Sequence, residues 1–164
     1  PRLPVDHPAR RMTATLDLAP ISQKDLLCTS SLTATDIERI FATARDWLRV
    51  GRLILDGGRL NGESLVSETW VKQMLTPSAR NPQFGLNLWL GSPEGTTERV
   101  YNPYTIKAFH SEPFAAADIA YIDGFGGQRV YIVPSRNLVI VRTGVSSTDW
   151  DDARLPNAVI RALR

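Results

Sequence analysis

The sequence has one cysteine, Cys28, and two histidines, His7 and His110. A single cysteine excludes an intrachain disulfide and a Cys-based metal centre. Two histidines exclude a three-histidine zinc site, and no H-E-x-x-H occurs. Nowhere do 18 apolar residues run together, so no membrane-spanning helix is expected. The opening PRLPVDHPARRM has basic residues without the apolar run that a secretory signal places behind them. An excess of one charge is also missing: 19 Lys and Arg against 17 Asp and Glu leave a formal +2. Arg45, Arg49, Arg52 and Arg59 recur singly on what reads as a helix face, which argues against a nucleic-acid footprint. Many secreted bacterial proteins lack disulfides, so the compartment stays open between periplasm and cytoplasm. A start at Pro1 without Met suggests polypeptide upstream.

What is present is a foldable chain. At 164 residues and 43% hydrophobic content it has the material of one domain with a core. Residues 1–34, rich in Pro, Arg, Ser and Thr, read as an extended arm or connection, and residues 35–164 as the domain. Thr43, with Asp46 three residues on, reads as an N-cap. Ala44, Trp47, Leu48, Gly51, Ile54 and Leu55 then form one helical face that Gly57 and Gly58 end. Asn61-Gly62 reads as a tight turn. Ser67 caps a second helix with Trp70, Val71, Met74 and Leu75 on one side.

The period then changes to two. Leu86, Leu88 and Leu90 alternate with Asn87 and Trp89 as a strand, and Trp47, Trp70 and Trp89 read as core. Val130, Ile132 and the VIV of 139–141 give two antiparallel strands joined at 134–137. The tail offers Asp149 as a cap, Pro156 in a first helical turn, and Val159, Ile160 and Leu163 as a buried side. Helices, antiparallel strands and a closing helix make the fold class α+β, an antiparallel sheet flanked by helices.

Self-contained nucleophile motifs are absent: there is no S-x-x-K, no G-x-S-x-G, and no Y-x-N or Y-x-S. G-x-G-x-x-G is absent too, so the glycines of DGFGGQRVYIVP, which precede a strand, are no dinucleotide fingerprint. That cluster, Gly124, Gly126 and Gly127, is either a place where a ligand lies against bare main chain or a tight bend.

TARDWLRVGRLILDGGRLNGESLVSETWVKQMLTP, then FGLNLWLG, then DGFGGQRVYIVPSRNLVIVRTG resemble, in order and spacing, the C-terminal part of the serine β-lactamase-like hydrolases. That superfamily embraces class C β-lactamases, penicillin-binding D,D-peptidases, family VIII esterases and nylon-oligomer hydrolases. The likeness covers residues 35–144. It implies the C-terminal portion of the β-lactamase/transpeptidase-like fold, no cofactor or metal, and a small-molecule ester or amide substrate. It also implies a partner: the N-terminal portion of the same hydrolase, carrying the Ser-x-x-Lys and Tyr motifs that this chain lacks.

By the same resemblance the third element, K-T-G or H-x-G, falls on Ile122, Asp123 and Gly124, and the backbone N–H of Phe125 becomes an oxyanion donor. Gly124, Gly126 and Gly127 let substrate approach, and Tyr121 and Gln128 flank the loop as substrate contacts. Isoleucine stands where the family has Lys or His, which points to the esterase or amide-hydrolase branches. Asp123 is a substitute polar contact. Arg142-Thr143-Gly144 imitates K-T-G but reads as structural. Two further readings are a non-catalytic binding module that keeps the sheet, and a small hydrolase using Ser111 and His110.

Overall fold

The computed structural model describes residues 33–91, 98–101, 104–107, 110–144 and 150–163, with backbone alone for 98–101 and 104–107. The element order is α1 (Ala34–Leu55), β1 (Arg59–Leu60), β2 (Glu63–Ser64), α2 (Glu68–Met74), β3 (Trp89–Leu90), β4 (Glu98–Tyr101), β5 (Tyr104–Lys107), β6 (Ala120–Gly124), β7 (Gln128–Val133), β8 (Leu138–Arg142) and α3 (Arg154–Ala162). β3, β6, β7 and β8 form one antiparallel sheet in that order, while β1 with β2 and β4 with β5 are separate hairpins. The fold is α+β.

The alternation of the central strands fixes two layers. Ala120 and Ile132 point to one face, where they cluster with Ile54 of α1, Val71 of α2 and Leu88. Tyr121, Tyr131, Val133 and Ile140 point to the other, against Ile160 of α3, with Trp89, Ala116 and Ile119 completing that cluster. α1 approaches the sheet closely at Gly51, where a Cβ would lie 2.5 Å from Cγ1 of Val139 and 3.1 Å from Cγ1 of Val130.

Several expectations are corrected. α1 is capped by Thr33, whose hydroxyl accepts from the Asp36 N–H while Asp36 accepts from the Thr33 N–H. Thr43 lies in mid-helix, and Asp46 pairs with Arg49 at 3.0 Å. Both threonines start T-x-x-D, and with no breaker between them the helix begins at the first. Of the expected arm, residues 1–32 lie outside the described residues, and Thr33 and Ala34 open the helix.

The strand expected over 86–90 is a turn followed by two strand residues. Asn87 takes a φ of 58°, the Gly85 N–H donates to Leu88 O at 2.9 Å, and Phe84 bridges Trp89. Trp89 is core, whereas Trp47, Trp70 and Leu163 are exposed. Asp149 lies outside the described residues; Asp151 accepts from the N–H groups of Ala153 and Arg154 at the start of α3. The Asn61-Gly62 turn, the Ser67 cap and the 134–137 turn stand where expected.

Candidate functional site

β6 and β7 are joined by a single 3₁₀ turn, Phe125–Gly127, closed by the pair Gly124 and Gln128. Gly126 and Gly127 have φ of 68° and 82°, a region that side chains make costly, and Gly127 also lies where a Cβ would meet Cβ and Cγ of Trp150 at 2.9 Å. The bend therefore accounts for two of the three glycines. Phe125 is 92% exposed.

β3 pairs with β6 at Ala120 and Tyr121, and β7 pairs along all of β6. Among the described residues, then, the strand pairings leave one flank of Ile122, Asp123 and Gly124 open. Beside this end of the sheet lies a cleft of about 320 Å³, lined by Ile122, Val130 and Val141, by Thr43 and Trp47 of α1, and by Gly124, Gln128, Arg129, Arg142 and Thr143. The lining is mostly apolar and the volume suits a small ligand.

The two arginines of this lining are tied to carboxylates, to main chain and to Trp150. Arg129 is 7% exposed. Its Nε binds Asp152 at 2.7 Å, and its Nη1 meets Asp123 and donates to the carbonyls of Gly124 at 2.9 Å and Gln128 at 2.8 Å. Arg142, opposite Arg129 in the register, lies 3.9 Å over the Trp150 ring and donates to Gly127 O at 2.8 Å. Burial, with the positive charge of Arg129 behind it, lowers the Arg142 pKa from its ordinary value. Trp150 is held in turn by its Nε1, which donates to the Tyr131 hydroxyl at 3.1 Å.

The expected site residues divide accordingly. Ile122 and Gly124 line the cleft, whereas Phe125, Gly126 and Gly127 form the adjoining turn outside that lining, Gly127 buried against Trp150. Tyr121 is not, because its ring is fully buried among Phe114, Tyr131 and the residues packed on α3. The Gln128 amide is engaged by Gly144, donating to its carbonyl at 2.7 Å and accepting from its N–H at 2.9 Å. The Asp123 carboxylate faces Arg129 and not the cleft. Of Arg142-Thr143-Gly144, Arg142 binds the Gly127 carbonyl, Gly144 binds the Gln128 amide, and Arg142 and Thr143 also line the cleft. Arg129, which sequence reasoning missed, stands directly across the ladder from Asp123, and this pairing was the available signal.

Ser111 and His110 do not form a catalytic pair. The Ser111 hydroxyl donates to the Asp151 carboxylate, and the His110 ring packs edge-on to Phe114 at 5.0 Å. Partial burial works against ionisation of Asp151, but hydrogen bonds from the Ser111 hydroxyl and the N–H groups of Ala153, Ser111 and Arg154 outweigh it and hold the carboxyl below its ordinary pKa. Among the described residues no group of three or more His, Cys, Asp or Glu is placed to hold a metal ion, and no helix is long and apolar enough to cross a membrane.

Over 115 residues the chain is 29% identical to the 6-aminohexanoate-dimer hydrolase of Paenarthrobacter ureafaciens, an alignment covering 69% of this chain and 26% of that protein. This supports a distant relationship. The chain spans about a quarter of the length of that relative. No family model matches the chain.

Proposed function

We propose that this chain supplies the sheet side of the active site of a serine hydrolase in the β-lactamase-like superfamily, acting by acyl transfer on a small ester or amide. Residues 33–164 belong to the C-terminal part of the domain, and residues 1–32 connect it to the rest. The supporting observation is that β6 ends, beside an apolar cleft, in a turn that carries the exposed Phe125, in a chain similar over 115 residues to a 6-aminohexanoate-dimer hydrolase of which those residues make up 26%. The S-x-x-K and tyrosine motifs stand on polypeptide outside these 164 residues.

In this reading the serine oxygen attacks the substrate carbonyl carbon as a neighbouring base takes its proton, since an aliphatic hydroxyl is a poor nucleophile unaided. The tetrahedral oxyanion accepts hydrogen bonds from the serine N–H and from the Phe125 N–H. The oxyanion collapses as the leaving group takes a proton and departs, and water then hydrolyses the acyl-enzyme. A donor of this kind supports the rate by a factor of about 10² to 10³.

Ile122 presents an alkyl side chain where the resemblance places Lys or His, so this position offers no cation to a substrate carboxylate. That favours a neutral ester or amide over a classical β-lactam. Apolar cleft walls without a nucleophile in this chain also suit a binding module. The native polypeptide separates the two: its intact mass and peptide map should reveal S-x-x-K and Y-x-N or Y-x-S upstream. A mature protein without them contradicts the hydrolase and leaves the binding module.

A further inference from the structure

Arg129 is directed at main chain as well as at carboxylates. Pairing with Asp123 and Asp152 accounts for a buried guanidinium, but it leaves unexplained why Nη1 also contacts the carbonyls of Gly124 and Gln128, the two residues that close the turn. In a planar trans peptide the C=O and the following N–H point in opposite directions. A Gly124 carbonyl held towards Arg129 and β7 therefore turns the Phe125 N–H away from them, to the flank of β6 that the strand pairings leave open at residues 122–124.

We propose that Arg129 is the positioning residue of this site. By anchoring the Gly124 carbonyl it fixes the plane of the Gly124–Phe125 peptide, and with it the direction in which the Phe125 N–H donates. This inference rests on the reading of that N–H as the oxyanion donor. Arg129 touches no reacting atom; it acts through the peptide, and a cation on the carbonyl side also polarises the N–H as a donor. Asp152, 3% exposed at its side chain and adjacent to the start of α3, fixes the guanidinium from behind, so the direction of the amide is tied to a helix across the sheet. Arg142 binds the other end of the turn, at Gly127, and supplies the comparison.

The test is the ¹H–¹⁵N residual dipolar coupling of Phe125 in the full chain and in Arg129→Lys and Arg142→Lys. Arg129→Lys should change the Phe125 coupling and speed its hydrogen exchange, while β7 couplings hold and Arg142→Lys leaves Phe125 as it was. An unchanged Phe125 coupling in Arg129→Lys, or an equal change in Arg142→Lys, overturns the proposal. If Arg129→Lys does not fold, the neutral combination of Arg129→Met, Asp123→Asn and Asp152→Asn is measured against the same criterion.

In the protein that includes the S-x-x-K polypeptide, Arg129→Lys should lower kcat for p-nitrophenyl butyrate by about 10² to 10³ with KM unchanged. A changed coupling with unchanged kcat supports the positioning role and overturns Phe125 as oxyanion donor. The two failures are thereby told apart.

Discussion

At the scale of single residues, Gly127 combines two constraints, a φ of 82° and a Trp150 ring where its Cβ would go. Gly127→Ala should therefore lower stability by more than about 1 kcal/mol, read as a reduced urea midpoint. Gly62→Ala, with a φ of 86° but nothing within 4 Å, should cost only the backbone strain. Asp151 gives a pH dependence. Its folded pKa lies below the unfolded value, so its contribution is complete above about pH 3.9 and is lost as pH falls through the folded pKa. The stability difference between the native chain and Asp151→Asn should hold from pH 7 to 5 and shrink below pH 4 in denaturant titrations. Residue chemistry was legible in part. The glycine cluster declared itself through composition, but the burial of Tyr121 was not legible because adjacency to a loop says nothing of facing, while Gln128 does line the cleft. Tyr121 falls on the α3 side of the alternation, and Gln128 finds its partner 16 residues away in Gly144.

At the scale of elements, the β7 and β8 hairpin and the Ser67 cap were legible because alternation and turn chemistry act locally. The start of α1 was not, since two T-x-x-D patterns competed. The strand expected at 86–90 failed because a left-handed Asn87 breaks an alternation that composition alone preserves. Gly51 carries the contact between α1 and the sheet. Replacing it with alanine gains about 1 kcal/mol of helix propensity but places a methyl against Val139, and overpacking of this kind costs about 1–3 kcal/mol. Gly51→Ala should thus be neutral to destabilising, and Val139→Ala in the same chain should recover part of any loss. A double-mutant cycle by thermal denaturation checks this. A Gly51→Ala chain more stable than the native one would show that α1 does not sit so close to the sheet.

At the scale of the whole molecule, the apolar face of α1 runs past the sheet. Ile37, Phe41, Trp47 and Leu48 are 40, 63, 42 and 41% exposed, continuing the face that buries Gly51 and Ile54. In the proposed hydrolase, this face packs on the polypeptide that carries the serine. The chain on its own should then self-associate as concentration rises, and Phe41→Glu with Leu48→Glu should suppress this in light scattering; a clean monomer at all concentrations counts against a missing half. The sequence made the sheet and the closing helix legible, and none of its serines begins S-x-x-K. It could not show Arg129 binding the turn, because that contact depends on strand register and on Asp152, 23 residues along the chain.

The most direct test of the central claim is hydrolysis of a p-nitrophenyl ester by the purified chain, alone and together with the upstream polypeptide bearing S-x-x-K. The chain alone should give no turnover above background, and the two together should give turnover that is abolished by replacing the serine of that motif with alanine. Robust turnover by the chain alone, or none by the pair, would contradict the account.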